Sequence, residues 1–264
     1  MKIFFIGDIF GEGGRETVKA VLPGLKKKYS PDLVISNAEN ITHGSGFSYD
    51  SIQEMREAGI DFFTSGNHAW NNKDGLKHLD DKSFPVIRPA NFSAFKLPGR
   101  GYEIVKCKNG EKVLIINLIG RIFMKKNYEC PFLTADRILE EVKEEDLSAV
   151  FVDFHAEATS EKESLGYYLE GRVSALIGTH THVATADARI LDGGTAYMSD
   201  VGMTGPLNSV IGVKKDIIIS SFLTQLHAKH RPETSGPMIF SGVVVEVDSS
   251  TQKALNIEHV YVRT

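Results

Sequence analysis

Short apolar runs alternate with amphipathic stretches along the first part of the chain. Ile3-Phe4-Phe5-Ile6, Leu33-Val34-Ile35 and Phe62-Phe63-Thr64 show no polar alternation, which marks strands buried on both faces. Between them, Arg15 to Lys28 places Val18, Val21, Leu22 and Leu25 at helical spacing, and Pro23 within it predicts a kink or a break. Tyr49 to Ala58 reads as the next helix, with Gly59 closing it. Alternating elements of this kind imply a largely parallel sheet covered on both faces.

The pattern changes further on. Tyr102 to Lys108 and Lys112 to Leu118, joined by Asn109-Gly110, predict a β-hairpin with a type I′ turn. Ala135 to Lys143 and Glu161 to Glu170 are helical in spacing. Ala149 to Val152 and Ala175 to Ile177 are strands running towards His155 and His180. A second hairpin is expected around Asp192-Gly193-Gly194, a helix over Lys214 to Leu226, and two closing strands over Gly242 to Val247 and Ala254 to Val262. The total predicts an α/β protein with two sheets face to face and helices outside. No internal repeat, low-complexity tract or linker divides it, so one domain over residues 1–264 is expected.

The hydrophobic fraction of 42% is ample for such a core, and the net charge of −4 offers no basic surplus for a stable grip on nucleic acid. Cys107 and Cys130 lack metal-type spacing and suggest a reduced, intracellular setting. Asp8 interrupts the first apolar run well short of a signal segment, and no run approaches the roughly 18 apolar residues of a membrane helix. A cytoplasmic protein without a membrane partner is the expectation. A homo-oligomer stays open, and the segment Asp200 to Pro206 reads equally as a cleft edge or a subunit contact.

Candidate chemistry sits where the strands end. Asp8 follows the first strand, at the sheet edge where α/β proteins bind ligands, although an N-cap role would also place it there. Glu39 and Asn40 follow the second strand; a carboxylate can bridge two metal ions, while an Asn-rich turn is the plainer alternative. Asn67 can offer an amide oxygen, and the adjacent His68 then points elsewhere, as an acid for a leaving oxygen would. His155 lies just past a buried strand and reads equally as a satisfied histidine or as a ligand. His180-Thr181-His182 in an extended segment would turn both imidazoles to one side. The stretch Gly11-Glu12-Gly13-Gly14 lacks the lysine and spacing of a phosphate-binding loop. His43 could line a cleft; His78, His227, His230 and His259 have no evident partners.

Gly-Asp, carboxylate-Asn, Gly-Asn-His, a lone His and His-Thr-His, in that order from Asp8 to His182, resemble the motifs of the calcineurin-like metallophosphoesterases. The flanks Ser36-Asn37-Ala38-Glu39-Asn40 and Gly178-Thr179-His180-Thr181-His182 are similar to the YmdB branch. Two positions depart from the general pattern: Phe10 replaces the usual first-motif histidine, and Glu39 replaces the usual bridging aspartate. Both are what that branch looks like.

The resemblance implies a four-layer α/β/β/α sandwich of the metallophosphoesterase type, with two facing mixed sheets. It implies two divalent or trivalent metal ions, Fe or Mn by the mixed donor set. One would be held by Asp8, Glu39, Asn40 and His182, the other by Glu39, Asn67, His155 and His180. It also implies a phosphodiesterase acting on a small 2′,3′-cyclic nucleotide through a two-metal-activated hydroxide, with His68 as general acid. Competing expectations are a phosphatase or diesterase for another phosphate ester, a non-catalytic nucleotide sensor, and an interaction protein on an old fold. The presence of His68 favours catalysis, since a binder needs no leaving-group acid.

Overall fold

The computed structural model describes residues 1–93 and 96–264. The chain runs β1 (Lys2–Ile6), β2 (Asp8–Ile9), α1 (Gly11–Tyr29), β3 (Leu33–Asn37), α2 (Tyr49–Glu57), β4 (Phe62–Thr64) and a short α3 (Lys73–Leu76). It continues through β5 (Tyr102–Lys106), β6 (Lys112–Ile119), α4 (Pro131–Glu141), β7 (Ala149–His155), α5 (Thr159–Tyr168) and β8 (Ala175–Thr179). It closes with β9 (Arg189–Ile190), β10 (Ala196–Met198), β11 (Met203–Pro206), α6 (Lys215–Thr224), β12 (Met238–Asp248) and β13 (Lys253–Arg263).

Two mixed sheets result. One has the order β2-β11-β12-β1-β3-β4, with β13 also paired to β12; the other has the order β5-β6-β7-β8-β10-β9. β1, β3 and β4 are mutually parallel, as are β6, β7, β8 and β10. The antiparallel pairs are β12 with β1, β11 and β13, β5 with β6, and β9 with β10.

Strand alternation sorts the apolar residues into three layers. Phe5, Ile35 and Val243 of the first sheet meet Ile115, Phe151 and Ile177 of the second, and the Phe5 and Phe151 rings lie 5.0 Å apart. Phe4, Ile6 and Val34 pack outwards on Val18 and Leu22 of α1 and on Ile52 and Met55 of α2. Leu114, Val150 and Leu176 pack outwards on Ile138 of α4 and Leu165 of α5. The molecule is therefore an α/β/β/α sandwich, as the pattern predicts.

Several local expectations differ. α1 begins at Gly11 and passes through Pro23 unbroken. Val18 and Leu22 are fully buried before the proline, and Leu25 and Tyr29 pack on the same cluster after it, so packing carries the axis past the missing hydrogen bond. Gly14 sits in its first turn because a Cβ there would lie 2.5 Å from Thr204 O of β11. The β5–β6 turn is not type I′: Gly110 has φ 91° and Asn109 is not left-handed. Gly110 N donates to Cys107 O and Cys107 N to Glu111 O, which is a three-residue loop with glycine in the left-handed position. The segment read as a cleft edge or subunit contact contains β11, an inner strand between β2 and β12.

Candidate metal centre

Each candidate residue leaves a sheet at a strand's carboxyl end. Asp8 opens β2 just after β1, Glu39 and Asn40 follow β3, and Asn67 and His68 follow β4. His155 ends β7, and His180 and His182 follow β8. The facing sheets thus deliver their carboxyl ends to one place, and the whole set meets there.

One group surrounds His155. Its Nε2 lies 3.0 Å from Asn67 Oδ1, 3.0 Å from His180 Nδ1 and 3.1 Å from Glu39 Oε2. That nitrogen carries at most one hydrogen, so hydrogen bonding alone leaves lone pairs facing each other. A cation at their centre would satisfy them together. A second group lies across Glu39, where Asp8, Glu39 and His182 bring ligand atoms within 4.8 Å of one another. Asp8 Oδ1 is buried without a hydrogen-bond partner and lies 3.9 Å from His182 Nε2. An orphaned buried carboxylate oxygen is costly unless a cation meets it. The donor chemistry therefore fits metal ions at both groups.

Asn40 is less simple. Its Nδ2 lies 3.0 Å from both Glu39 Oε1 and His182 Nε2, and its Oδ1 lies 2.8 Å from His68 Nδ1. It can bring an oxygen to the second group only with the amide turned over. His68 is half-buried at the cleft side: its Nδ1 stands 3.2 Å from Glu39 Oε1, and its backbone N donates to Glu39 Oε2 at 3.1 Å.

Burial sets the charges. Burial pushes the Asp8 carboxyl well above the usual range. Burial pushes Glu39 the same way, but the adjacent His155, with hydrogen bonds from His155 and His68, holds it well below. For His155, burial acts downwards, yet Glu39 and Asp8 raise it to about 9. Burial lowers His180 to about 3 and lowers His182 as well. The two loop histidines are thus held neutral, the form that donates a lone pair to a metal.

The expected extended geometry of His180-Thr181-His182 is not what the chain adopts. His180 has φ 100° and His182 φ 66°, both left-handed, so the imidazoles diverge into different groups. Strain of about 1–3 kcal/mol per residue has to be held by surroundings. Asp200 supplies that hold: Oδ2 accepts from Thr181 N at 3.0 Å and Lys162 Nζ at 2.7 Å, and Oδ1 from Gly202 N at 2.8 Å. Lys162 Nζ also donates to Thr179 O at 3.0 Å.

A second support lies under His155. Its Nδ1 is 2.9 Å from Thr179 Oγ1, which donates to Asp153 Oδ1 at 2.7 Å. Asn37 Nδ2 of the facing sheet donates to Asp153 Oδ2 at 2.9 Å, and Thr64 Oγ1 also donates there. Burial raises the Asp153 carboxyl to about 6. Gly66 completes the shell: a Cβ there would lie 2.3 Å from Glu39 Oε2 and 2.4 Å from His155 Nε2.

Asp153 and Lys162 escaped the sequence reading, while Gly66, Thr179 and Asp200 entered it only as motif neighbours or the end of a segment, without these supporting roles. Asp153, a carboxylate inside an otherwise apolar strand, was the one readable signal. A cleft of about 620 Å³ opens over the centre, and His43, Lys125, Phe222 and His230 line it with Glu39, His68 and both loop histidines. His43 therefore lies where a cleft role would put it, and His230 has more to face than its sequence context suggests. His259 instead meets Ser241 Oγ at 3.0 Å. Phe10 sets its ring against His182, with centroids 5.7 Å apart, so the missing histidine is replaced by a packing wall. No helix among the described residues is long and apolar enough to cross a membrane.

Known proteins resemble this one over nearly the whole chain. The chain is 44% identical to the 2′,3′-cyclic-nucleotide 2′-phosphodiesterase of Bacillus subtilis (strain 168), covering 99% of this chain and 97% of that protein. A crystal structure of a hypothetical protein from Thermus thermophilus superposes with a TM-score of 0.91 at 40% identity, covering 100% of this chain and 99% of that one. The crystal structure of a novel phosphatase from Mycoplasma pneumoniae gives 0.91 at 36% identity, covering 100% and 93%. The pattern describing YmdB-like proteins matches residues 4–260, and the chain belongs to that family.

Proposed function

We propose that the protein is a dinuclear metal-dependent phosphodiesterase that opens 2′,3′-cyclic nucleotides. The observation that carries this reading is that Glu39 belongs to both ligand groups, with Oε2 facing His155 and Oε1 facing Asn40. Asp8, Asn40 and His182 would complete one position, and Asn67, His155 and His180 the other. The similarity to a relative named for this activity supports the substrate class.

Metal ions bound there would lower the pKa of water and offset charge on the phosphate. Mixed oxygen and nitrogen donors without thiolate suit Fe or Mn. The chain's own part is orientation and proton transfer. Water adds to phosphorus and releases a proton to solvent, the P–O2′ bond breaks, and His68 gives the leaving 2′ oxygen its proton and regains one from solvent, leaving a nucleoside 3′-phosphate. His68 is partly open to the cleft, with its backbone tied to Glu39, which suits a group that must meet a substrate oxygen at fixed distance. Such a substrate is small and soluble, and the two free cysteines suit the reducing cytoplasm.

The test couples metal content to turnover. Protein purified without chelator is assayed for Fe, Mn and Zn by mass spectrometry, and for hydrolysis of 2′,3′-cyclic AMP, bis-p-nitrophenyl phosphate and a simple monoester. About two metals per chain with diesterase turnover is the expected result. Metal without any turnover would favour a nucleotide sensor, and no metal after incubation with Mn or Fe would remove the reading.

A further inference from the structure

The cleft has two chemically different halves. Its floor is the ionic set around Glu39, and one wall is apolar, built from Val210, Val213, Ile218 and Phe222. Ile218 and Val213 belong to a small cluster with Phe10 and Ile239, which fixes the root of this wall. Phe222 stands further out, on a helix none of whose residues is buried, and its ring is 82% exposed. Packing gives no reason for that ring, because nothing in the core depends on it. Its neighbours on the lining do suggest one: His68, His180 and His182 lie on the same cleft surface, and Lys125 and His230 line it too.

A five-membered cyclic phosphate held by the floor carries its nucleobase outwards. A base offers a flat π-face that needs an aromatic or apolar partner, and such stacking is insensitive to base identity. A volume of about 620 Å³ lies within the roughly 300–1,000 Å³ range of sites for ligands of this size. We propose that Phe222 is the nucleobase platform of the site: the base of the cyclic nucleotide stacks on its ring while the cyclic phosphate meets the floor. This rests on the phosphodiesterase reading and adds a specificity-determining residue to it. Ile219, Leu223 and Leu226 are exposed as well but do not line the cleft and take no part.

The test uses metal-loaded protein and two substrates with the same strained ring, 2′,3′-cyclic AMP and glycerol 1,2-cyclic phosphate, which has no base. Phe222→Ala should raise KM for the nucleotide about 5- to 10-fold, the lower end of the effect of removing one base–aromatic stack. kcat, metal content and both constants for the glycerol substrate should hold. Adenosine should inhibit glycerol substrate hydrolysis competitively in the natural protein, and its inhibition constant should weaken by the same factor in the variant. Phe222→Trp should restore both. An unchanged nucleotide KM, or equal shifts on both substrates, overturns the platform and leaves the phosphodiesterase reading standing. If the natural protein opens neither substrate, that reading falls and the platform falls with it.

Discussion

Thr179 Oγ1 lies 2.9 Å from His155 Nδ1, and this contact decides which nitrogen of the imidazole faces the centre. The threonine hydroxyl gives its hydrogen to Asp153 Oδ1 at 2.7 Å, so towards His155 it can only accept. Nδ1 must then hold a hydrogen, and the lone pair of the neutral ring is left on Nε2, among Glu39, Asn67 and His180. Removing the hydroxyl in Thr179→Val leaves the ring free to choose. Metal affinity is expected to fall about 10- to 100-fold, the range for lost outer-shell partners, and Thr179→Ser should restore it. A metal titration of the two variants checks this; equal affinity in the valine variant would show that packing alone orients His155.

Glu39 is the member shared by both ligand groups. Glu39→Gln keeps the shape and removes the charge, so metal and turnover should be lost together. Metal content by mass spectrometry reads this directly, and full occupancy would argue against a bridging carboxylate.

His68 should separate from the ligands. His68→Ala is expected to keep its metal and lose about 10²- to 10⁴-fold in turnover, the usual contribution of a positioned acid. A leaving group that needs no proton, such as p-nitrophenolate, should be affected least. Full turnover on 2′,3′-cyclic AMP at unchanged metal content would take the acid role from this residue.

Much of this arrangement was legible in the chain because it follows strand ends. Apolar runs marked β1, β3, β4, β7 and β8, and the residue types just past them marked the site. The conformation of the His180–His182 loop was not legible, since left-handed histidines follow from Asp200 and Lys162, which are distant in sequence. Asn37 and Asp153 meet only because the two sheets face each other, a contact 116 positions apart. Pro23 misled for the opposite reason: local propensity predicted a break, and burial on both sides of it outweighed propensity.

The two cysteines differ in reach. Cys107 is buried, and burial raises its thiol to about 11, while Cys130 is only half-buried. Alkylation requires thiolate and access, so at pH 8 the buried Cys107 with its raised thiol should react slowly and after the more open Cys130, accelerating as pH rises towards 11. The folded chain holds the Cys107 proton to higher pH than the unfolded chain, whose ordinary value is 9.0. Its contribution is therefore present below pH 9 and is lost as pH rises to about 11. Mass spectrometry of partially labelled protein checks the order; equal rates at pH 8 would contradict it.

Lys162 and Asp200 form an ion pair in the interior, both about 1% exposed, with Nζ and Oδ2 2.7 Å apart. The other donors to the Asp200 carboxylate, among the described residues, are backbone groups that shape the site: Thr181 N between the two loop histidines, and Gly202 N before β11. Lys162→Met removes the cation and leaves a carboxylate buried beside apolar atoms. A cost of about 3–5 kcal/mol is expected, because the remaining charge is uncompensated. Lys162→Met with Asp200→Asn removes both charges and should recover part of that loss while keeping amide contacts to Thr181. Urea unfolding of the single and double variants separates the two effects. A single variant that loses less than about 1 kcal/mol would mean that backbone hydrogen bonds, rather than the ion pair, hold the left-handed loop in place.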